Sequence, residues 1–344
     1  MTTSVPHRQS PDAPAQTLAR IDLPDAVRDA LGRQLAAEPD PQPDIDRATT
    51  RYLQIFATLP TGLLQQILDF GRHADTPGVG YVRNLPVDPE LPATPTDGGP
   101  AGGKRSYVAE GVLLGLSGLL GEPVGFLTEK NGQLIHDVVP VPSGATSQTN
   151  QGSTVFLNFH NDIVHDAGGR YDVSNPDFLV LNCLRADHEG VAATHYADAR
   201  DIARALDAHT LEVLRSPLFR LNAPGSYVRD VAGGSEVLSD PVGLIGGPQD
   251  APEISSSANG VRALTKEAEA ALDRLQAACH EAAHEVHLRP GEALLINNRK
   301  GLHARTRFTP RYDGSDRWLQ RTYVRRNQWP IRHRQAAGSR RVHH

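Results

Sequence analysis

Thr154-Val155-Phe156-Leu157-Asn158-Phe159-His160-Asn161-Asp162 is the stretch on which the reading of this chain turns. The β-branched and aromatic run up to Phe159 predicts a strand that ends at His160. Side chains alternate faces along a strand, so residues two apart point the same way. His160 and Asp162 therefore converge on one point while Asn161 faces away. A third ligand has to come from another strand, and His303 supplies one. It follows the Arg289-Pro290-Gly291-Glu292 turn, the apolar run Ala293-Leu294-Leu295-Ile296 and the connection Asn297 to Gly301. Two histidines and one acid in this order form a facial triad. Such a triad holds Fe(II) from one side and leaves the other side open.

Working outward from that strand, the chain after Pro123 alternates short strand patterns with turns, as a double-sheet core does. Strands are expected at 124–128, 134–139, 154–160, 178–184, 192–198, 217–222, 226–230, 285–288, 293–297, 304–308 and 318–326, with helices at 199–214 and 265–285. Before Pro123, amphipathic helices are expected at 25–35, 44–59 and 61–73, a first strand near 78–85, and an apolar helix at 108–120. Gly111, Gly115 and Gly118 in that last helix weaken it alone but permit close packing. The fold class is α+β with a mainly β core, a double-stranded β-helix (jelly roll) buttressed by helices. The expected organisation is a disordered tail over 1–16, a helical buttress with the first core strand over 17–122, a catalytic core over 123–330 and a C-terminal tail over 331–344. Segments 163–176 and 223–261 are expected as lid loops, since long loops in compact domains are usually functional.

The formal net charge is -5, and the sequence pI is about 6.3 with mean hydropathy -0.40. No basic stripe supports nucleic-acid binding. No apolar run reaches the roughly 18 residues of a membrane span. The polar start, Met1 to Gln16, lacks the apolar region of a secretion signal, so a cytoplasmic location is expected. Cys183 and Cys279 are the two cysteines and read as buried thiols.

Several segments together resemble the clavaminate synthase-like group of Fe(II)/2-oxoglutarate oxygenases, related to TauD, which includes hydroxylases of free arginine, asparagine and lysine. They are Asn158 to Asp162, Cys183-Leu184-Arg185-Ala186-Asp187-His188-Glu189, Ala192-Ala193-Thr194, and above all Phe308-Thr309-Pro310-Arg311-Tyr312-Asp313-Gly314-Ser315-Asp316-Arg317-Trp318-Leu319-Gln320-Arg321. The resemblance runs from about Gly121 to Asn327. It implies iron(II) held by His160, Asp162 and His303. It also implies 2-oxoglutarate gripped by Arg317 with help from Thr194, O2 as oxidant, and ascorbate as an activator. An arginine at the start of a strand suits this, since it pairs with a carboxylate in bidentate fashion. Arg321, two strand repeats on, would meet the substrate carboxylate. Many members carry Glu where this chain has Asp162, which ligates iron but reaches less far toward an amine. A halogenase is disfavoured, because the resembling halogenases replace this acid with a small residue.

The implied reaction is hydroxylation of an unactivated C–H bond in a free L-amino acid, coupled to conversion of 2-oxoglutarate to succinate and CO2. The substrate ammonium would approach Asp162. Gln133 and His136, on the strand that lines the pocket in the resembling hydroxylases, and His165 in the first lid would touch substrate. The arginine hydroxylases of the group place acids before the long helix. The matching stretch here, Glu253-Ile254-Ser255-Ser256-Ser257-Ala258-Asn259, is mostly neutral. Lysine-like and asparagine- or glutamine-like side chains stay open, with Asp230 or Asp240 available to a cationic one. Two alternatives remain: an oxygenase of a carrier-bound or larger natural-product intermediate, and a non-catalytic jelly-roll metal-binding protein. The oligomeric state is not legible.

Overall fold

The computed structural model describes residues 18–149, 151–162, 175–230, 232–336 and 339–343. Among these, two sheets form the core. The larger runs Ala19–Asp22, Val79–Arg83, Ala293–Asn297, Phe178–Arg185, Trp318–Arg325, Glu122–Phe126 and Arg341–Val342, with His136–Val138 paired beside Trp318–Arg325. The smaller runs His284–Val286, Thr194–Asp198, Gly301–Arg305 and Leu157–His160. The central strand Phe178–Arg185 pairs antiparallel with both neighbours and is buried on both faces, which is why it reads as an apolar run from Phe178 to Leu184 interrupted by Asn182. Tyr196 and Val286 of the small sheet pack against Leu181, Leu294 and Ile296 of the large one, so the sheets share a core.

Helices cover the outer faces. Val108–Leu120 is buried on nearly every side, against the back of the large sheet and helix Ile45–Phe56. That position explains its apolar circumference. Gly115 is what admits the neighbouring helix, because a Cβ there would lie 2.1 Å from the Phe56 ring. On the small sheet, Ile202, Leu214, Leu275 and Cys279 pack over Phe159, Leu302 and Ala304.

The structure corrects several expectations. The helix expected at 199–214 is two, Ala199–Ala205 and Ala208–Arg215. The second starts afresh where the Asp207 side chain accepts from Thr210 N at 2.8 Å. Residues 226–230 belong to a helix, Gly225–Asp230, not a strand. Segment 223–261 holds that helix and the short strands Ile245–Gly246, Glu253–Ile254 and Val261–Ala263. The strand expected at 304–308 is Gly301–Arg305, which puts His303 at its centre. Ala19–Asp22 precedes the supposed first strand and pairs parallel with it. The segment read as a C-terminal tail is docked: Ile331 and Val342 are fully buried, and Arg341–Val342 pairs with Gly125 and Phe126. Two isolated apolar anchors in a basic stretch show no periodicity, so the sequence hid this. The expected tail 1–16 and residues 163–174 of the first lid, with His165, lie outside the described residues. Cys183 and Cys279 are buried free thiols, raised to about 12 by burial. Among the described residues no helix is long and apolar enough to cross a membrane.

Candidate active site

Leu157–His160 pairs antiparallel with Gly301–Arg305 so that His303 faces His160 directly. The imidazole rings lie 4.2 Å apart between centroids. Asp162, just past the strand end, brings Oδ1 to 3.9 Å from His160 Nε2 and Oδ2 to 4.0 Å from His303 Nε2. One ligand atom from each of the three falls within 4.8 Å of the others. Among the described residues this is the one cluster of its kind. His160 Nδ1 lies 2.7 Å from Asn158 O, a bond that puts the ring proton on Nδ1 and turns the Nε2 lone pair toward Asp162. Burial lowers the pKa of His160 against the pull of Asp162. Burial, then His160 and Arg321, lowers His303 further. Both shifts favour the neutral imidazole, the form that ligates a metal. Two neutral imidazoles and one carboxylate fit an iron(II) ion.

Residues that turn away from the triad hold it. Asn298 Oδ1 accepts from Asp162 N at 2.9 Å, and its Nδ2 donates to Asp162 O at 2.7 Å and Pro176 O at 3.0 Å. Asn161 donates to Ile254 O and Asn298 O and accepts from Ser256 N. The acid's backbone is thus tied to the turn between two strands of the core, and to segment 254–256.

The conspicuous motif before Arg317 is a folded turn. Asp316, 1 % exposed, accepts from Arg311 N and Tyr312 N. Arg185 donates to Gly314 O and Pro92 O, and Thr94 donates to Asp316 O. From this turn the chain enters Trp318–Arg325 through a register shift between Trp318 and Leu319, and its side chains alternate between the two faces of the sheet. Arg317, Leu319, Arg321 and Tyr323 face the cavity, while Trp318 and Gln320 face Asp137 and Glu110 behind the sheet. Arg317 is 6 % exposed, and among the described residues it has no hydrogen bond or ion pair, only the Phe308 ring at 6.0 Å. Burial lowers its pKa, with weak opposition from Cys183 and Asp187. A buried cation without a counter-ion is costly, and an anion beside it would offset that cost. Thr194 lines the same cavity.

Arg321 is already engaged. Nη1 donates to Asp162 Oδ2 at 3.0 Å, and Nη2 to Glu129 Oε1 at 2.9 Å and His136 Nδ1 at 3.2 Å. Burial alone would lower its pKa, but Asp162, Tyr323 and Glu129 outweigh burial and raise it. The Tyr323 hydroxyl sits 3.0 and 2.8 Å from the two Glu129 oxygens.

These residues enclose a cavity of about 330 Å³, within the size range of small-molecule sites. His160, Asp162, His303, Thr194, Arg317 and Arg321 all line it. Gln133 does not: its backbone carbonyl holds His136 Nε2 at 2.9 Å, and His136 lies buried behind Arg321. Sequence reasoning missed Glu129, Lys130, Arg305 and Tyr323, together with Gln148, Thr149 and Gln151 of an uncharged rim; Ser257 and Asn259, which complete that rim, belong to the neutral stretch 253–259 already singled out. Among the described residues Glu129 and Asp162 are the carboxylates of this cavity. Asp240 and Glu253 line a neighbouring one beyond Asn161 and Asn298. Arg305 donates to Gly152 O and Val155 O, and burial, then Arg317, lowers its pKa to about 9.

The sequence profile of the taurine catabolism dioxygenase TauD, TfdA family matches residues 108–323. The chain is 37% identical over 306 residues to L-asparagine oxygenase of Streptomyces coelicolor (strain ATCC BAA-471 / A3(2) / M145), covering 88% of each chain. It is 32% identical to clavaminate synthase 2 of Streptomyces clavuligerus, covering 82% of this chain and 83% of that one. The fold superposes on asparagine oxygenase solved with Fe(II), 2S,3S-3-hydroxyasparagine and succinate. The TM-score is 0.85 at 32% identity, over 94% of this chain and 99% of that one.

Proposed function

The chain belongs to the TauD, TfdA family of dioxygenases, and on that premise we propose that it hydroxylates a free L-amino acid with iron(II), 2-oxoglutarate and O2. Its two sheets are read as the halves of a double-stranded β-helix, with the site between them. The observation that carries the proposal is the pairing of a triad, His160, Asp162 and His303, with a buried cation, Arg317, that has no anion among the described residues. Iron and 2-oxoglutarate bound there supply O2 activation and C–H hydroxylation, the cosubstrate leaving as succinate and CO2.

The chain's own residues do the rest. Arg317 neutralises the far carboxylate of 2-oxoglutarate, with the Thr194 hydroxyl beside it. Arg321 keeps N–H groups for the amino-acid carboxylate while its bond to Asp162 orients that ligand. Asp162 is committed to the metal and Arg321, so the substrate ammonium goes to Glu129. Tyr323 and Arg321 fix Glu129 from one side, and it stays about a quarter exposed to the cavity on the other.

The rim supports one side-chain class. Gln148, Thr149, Gln151, Ser257 and Asn259 offer hydrogen bonds without charge. An ammonium or guanidinium placed there would find no carboxylate among the described residues of that rim, Glu129 and Asp162 being engaged elsewhere in the cavity, and a desolvated unpaired charge is costly. A carboxamide side chain fits. The test is a competition in one vessel between L-asparagine, L-glutamine, L-lysine and L-arginine, followed by mass spectrometry. Oxygenated asparagine or glutamine is expected; preferential oxygenation of lysine or arginine would overturn the side-chain assignment.

A further inference from the structure

Glu129 stands on a turn, not on a strand, and that turn is an unfavourable one. Lys130, Asn131 and Gly132 have φ of +50, +54 and +74° in succession, and two of the three carry a Cβ. Such a turn persists only where its surroundings hold it. Lys130 Nζ donates to Gly98 O on one side, and the strand Arg341–Val342 holds the turn on the other. It lies parallel along Glu122–Phe126, the strand that leads directly into the turn. Gly125 N donates to Arg340 O at 3.1 Å and Leu127 N to Val342 O at 3.0 Å. Val342 is fully buried in one cluster with Phe126 and Tyr323, and Tyr323 is the residue whose hydroxyl holds Glu129. Arg341 reaches over the turn itself, Nε donating to Gly132 O at 3.4 Å. The turn also lies directly on the strand backbone: a Cβ on Gly125 would come within 2.2 Å of Gly132 O. The last strand is secured in its own right, with Ala336 N bonded to Arg341 O and His343 N to Arg334 O.

We infer that the strand Arg341–Val342 is a positioning element of the amino-acid subsite, clamping the turn that presents Glu129, with Arg341 as its positioning side chain. The inference rests on the reading of Glu129 as the partner of the substrate ammonium. It touches neither the metal ligands nor Arg317, so the clamp governs amino-acid binding and leaves cosubstrate binding alone. Arg341 is exposed, and its removal leaves the core intact.

The experiment compares the unsubstituted chain with Arg341→Ala, Arg341→Lys, Glu129→Gln and a chain ended at Gln335. Amide hydrogen exchange is followed across residues 127–133, and KM is measured for L-asparagine and for 2-oxoglutarate. Arg341→Ala should speed exchange in the turn and raise KM for L-asparagine about fivefold, the size of one lost hydrogen bond. Exchange around His160 and His303, KM for 2-oxoglutarate and kcat should not move. Arg341→Lys, which can still donate to Gly132 O, should restore most of the loss. The shortened chain should show the larger effect in the same direction. Unchanged turn exchange, or an unchanged KM for L-asparagine in Arg341→Ala and in the shortened chain, overturns the clamp. Glu129→Gln separates the two levels. If it raises KM while Arg341→Ala does not, the clamp alone is wrong. If it changes nothing, the ammonium reading is wrong and the clamp has no role in binding.

Discussion

Arg317 combines a cost and a use in one side chain. Its guanidinium is buried without a counter-ion among the described residues, so the ligand-free chain is destabilised by the group we propose as the cosubstrate's anchor. Arg317→Met should therefore move two observables in opposite directions. The melting temperature of the ligand-free protein should rise, while KM for 2-oxoglutarate should increase roughly 10- to 100-fold, the range of a lost charged hydrogen bond. A fall in melting temperature would mean that the guanidinium has a partner after all. At Asp162, replacement by Ala should abolish hydroxylation while 2-oxoglutarate binding through Arg317 survives; full activity in that variant would remove the triad assignment. Much of this site was legible from one rule. Residues two or four apart on a strand share a face, and that rule joins His160 to Asp162 and Arg317 to Arg321. Applied once more it reaches Arg305 from His303 and Tyr323 from Arg321. Glu129 obeys no such rule, because it sits on a turn whose place is set by strands far away in sequence.

Elements rather than single side chains decide where the ligands point. The turn at Asn298 grips the backbone of Asp162 from both sides. Asn298→Ala should lower metal affinity by about tenfold, the low end of what outer-shell partners contribute, as read by metal titration. Unchanged affinity would show that strand pairing alone places the acid. Behind the large sheet, Gly115 is the contact that brings two helices together. Gly115→Val should overpack that contact and cost about 1–3 kcal/mol, seen as a lower denaturation midpoint with activity per folded molecule retained. The helices were legible because their apolar stripes are long and periodic, and the glycines at 111, 115 and 118 already marked a close approach. Segment 223–261 was not. Its strands are two or three residues long, too short for alternation to show, and they exist only through their partners.

Across the whole molecule, burial of neutral imidazoles ties stability to pH. His136 is held near pKa 4 against an ordinary 6.5, chiefly by burial, and its neutral form is built in. Nε2 donates to Gln133 O while Nδ1 accepts from Arg321. Between those two pKa values the unfolded chain binds a proton that the folded chain refuses, so stability rises with pH there. The metal-free protein should lose stability as pH falls from 6.5 toward 4, and His136→Gln should flatten that dependence; an unchanged slope would assign it to other groups. At this scale the sequence disclosed a helical buttress ahead of a β core, but not that the last strand closes the large sheet. The central claim concerns what the assembled cavity does. The most direct measurement is an incubation under oxygen-18 gas with iron(II), 2-oxoglutarate and a pool of free L-amino acids, with products weighed by mass spectrometry. The account predicts one labelled oxygen in a single carboxamide amino acid and one in an equal amount of succinate. Labelled succinate with every amino acid unlabelled would contradict the free-amino-acid reading, and absence of both would contradict the oxygenase itself.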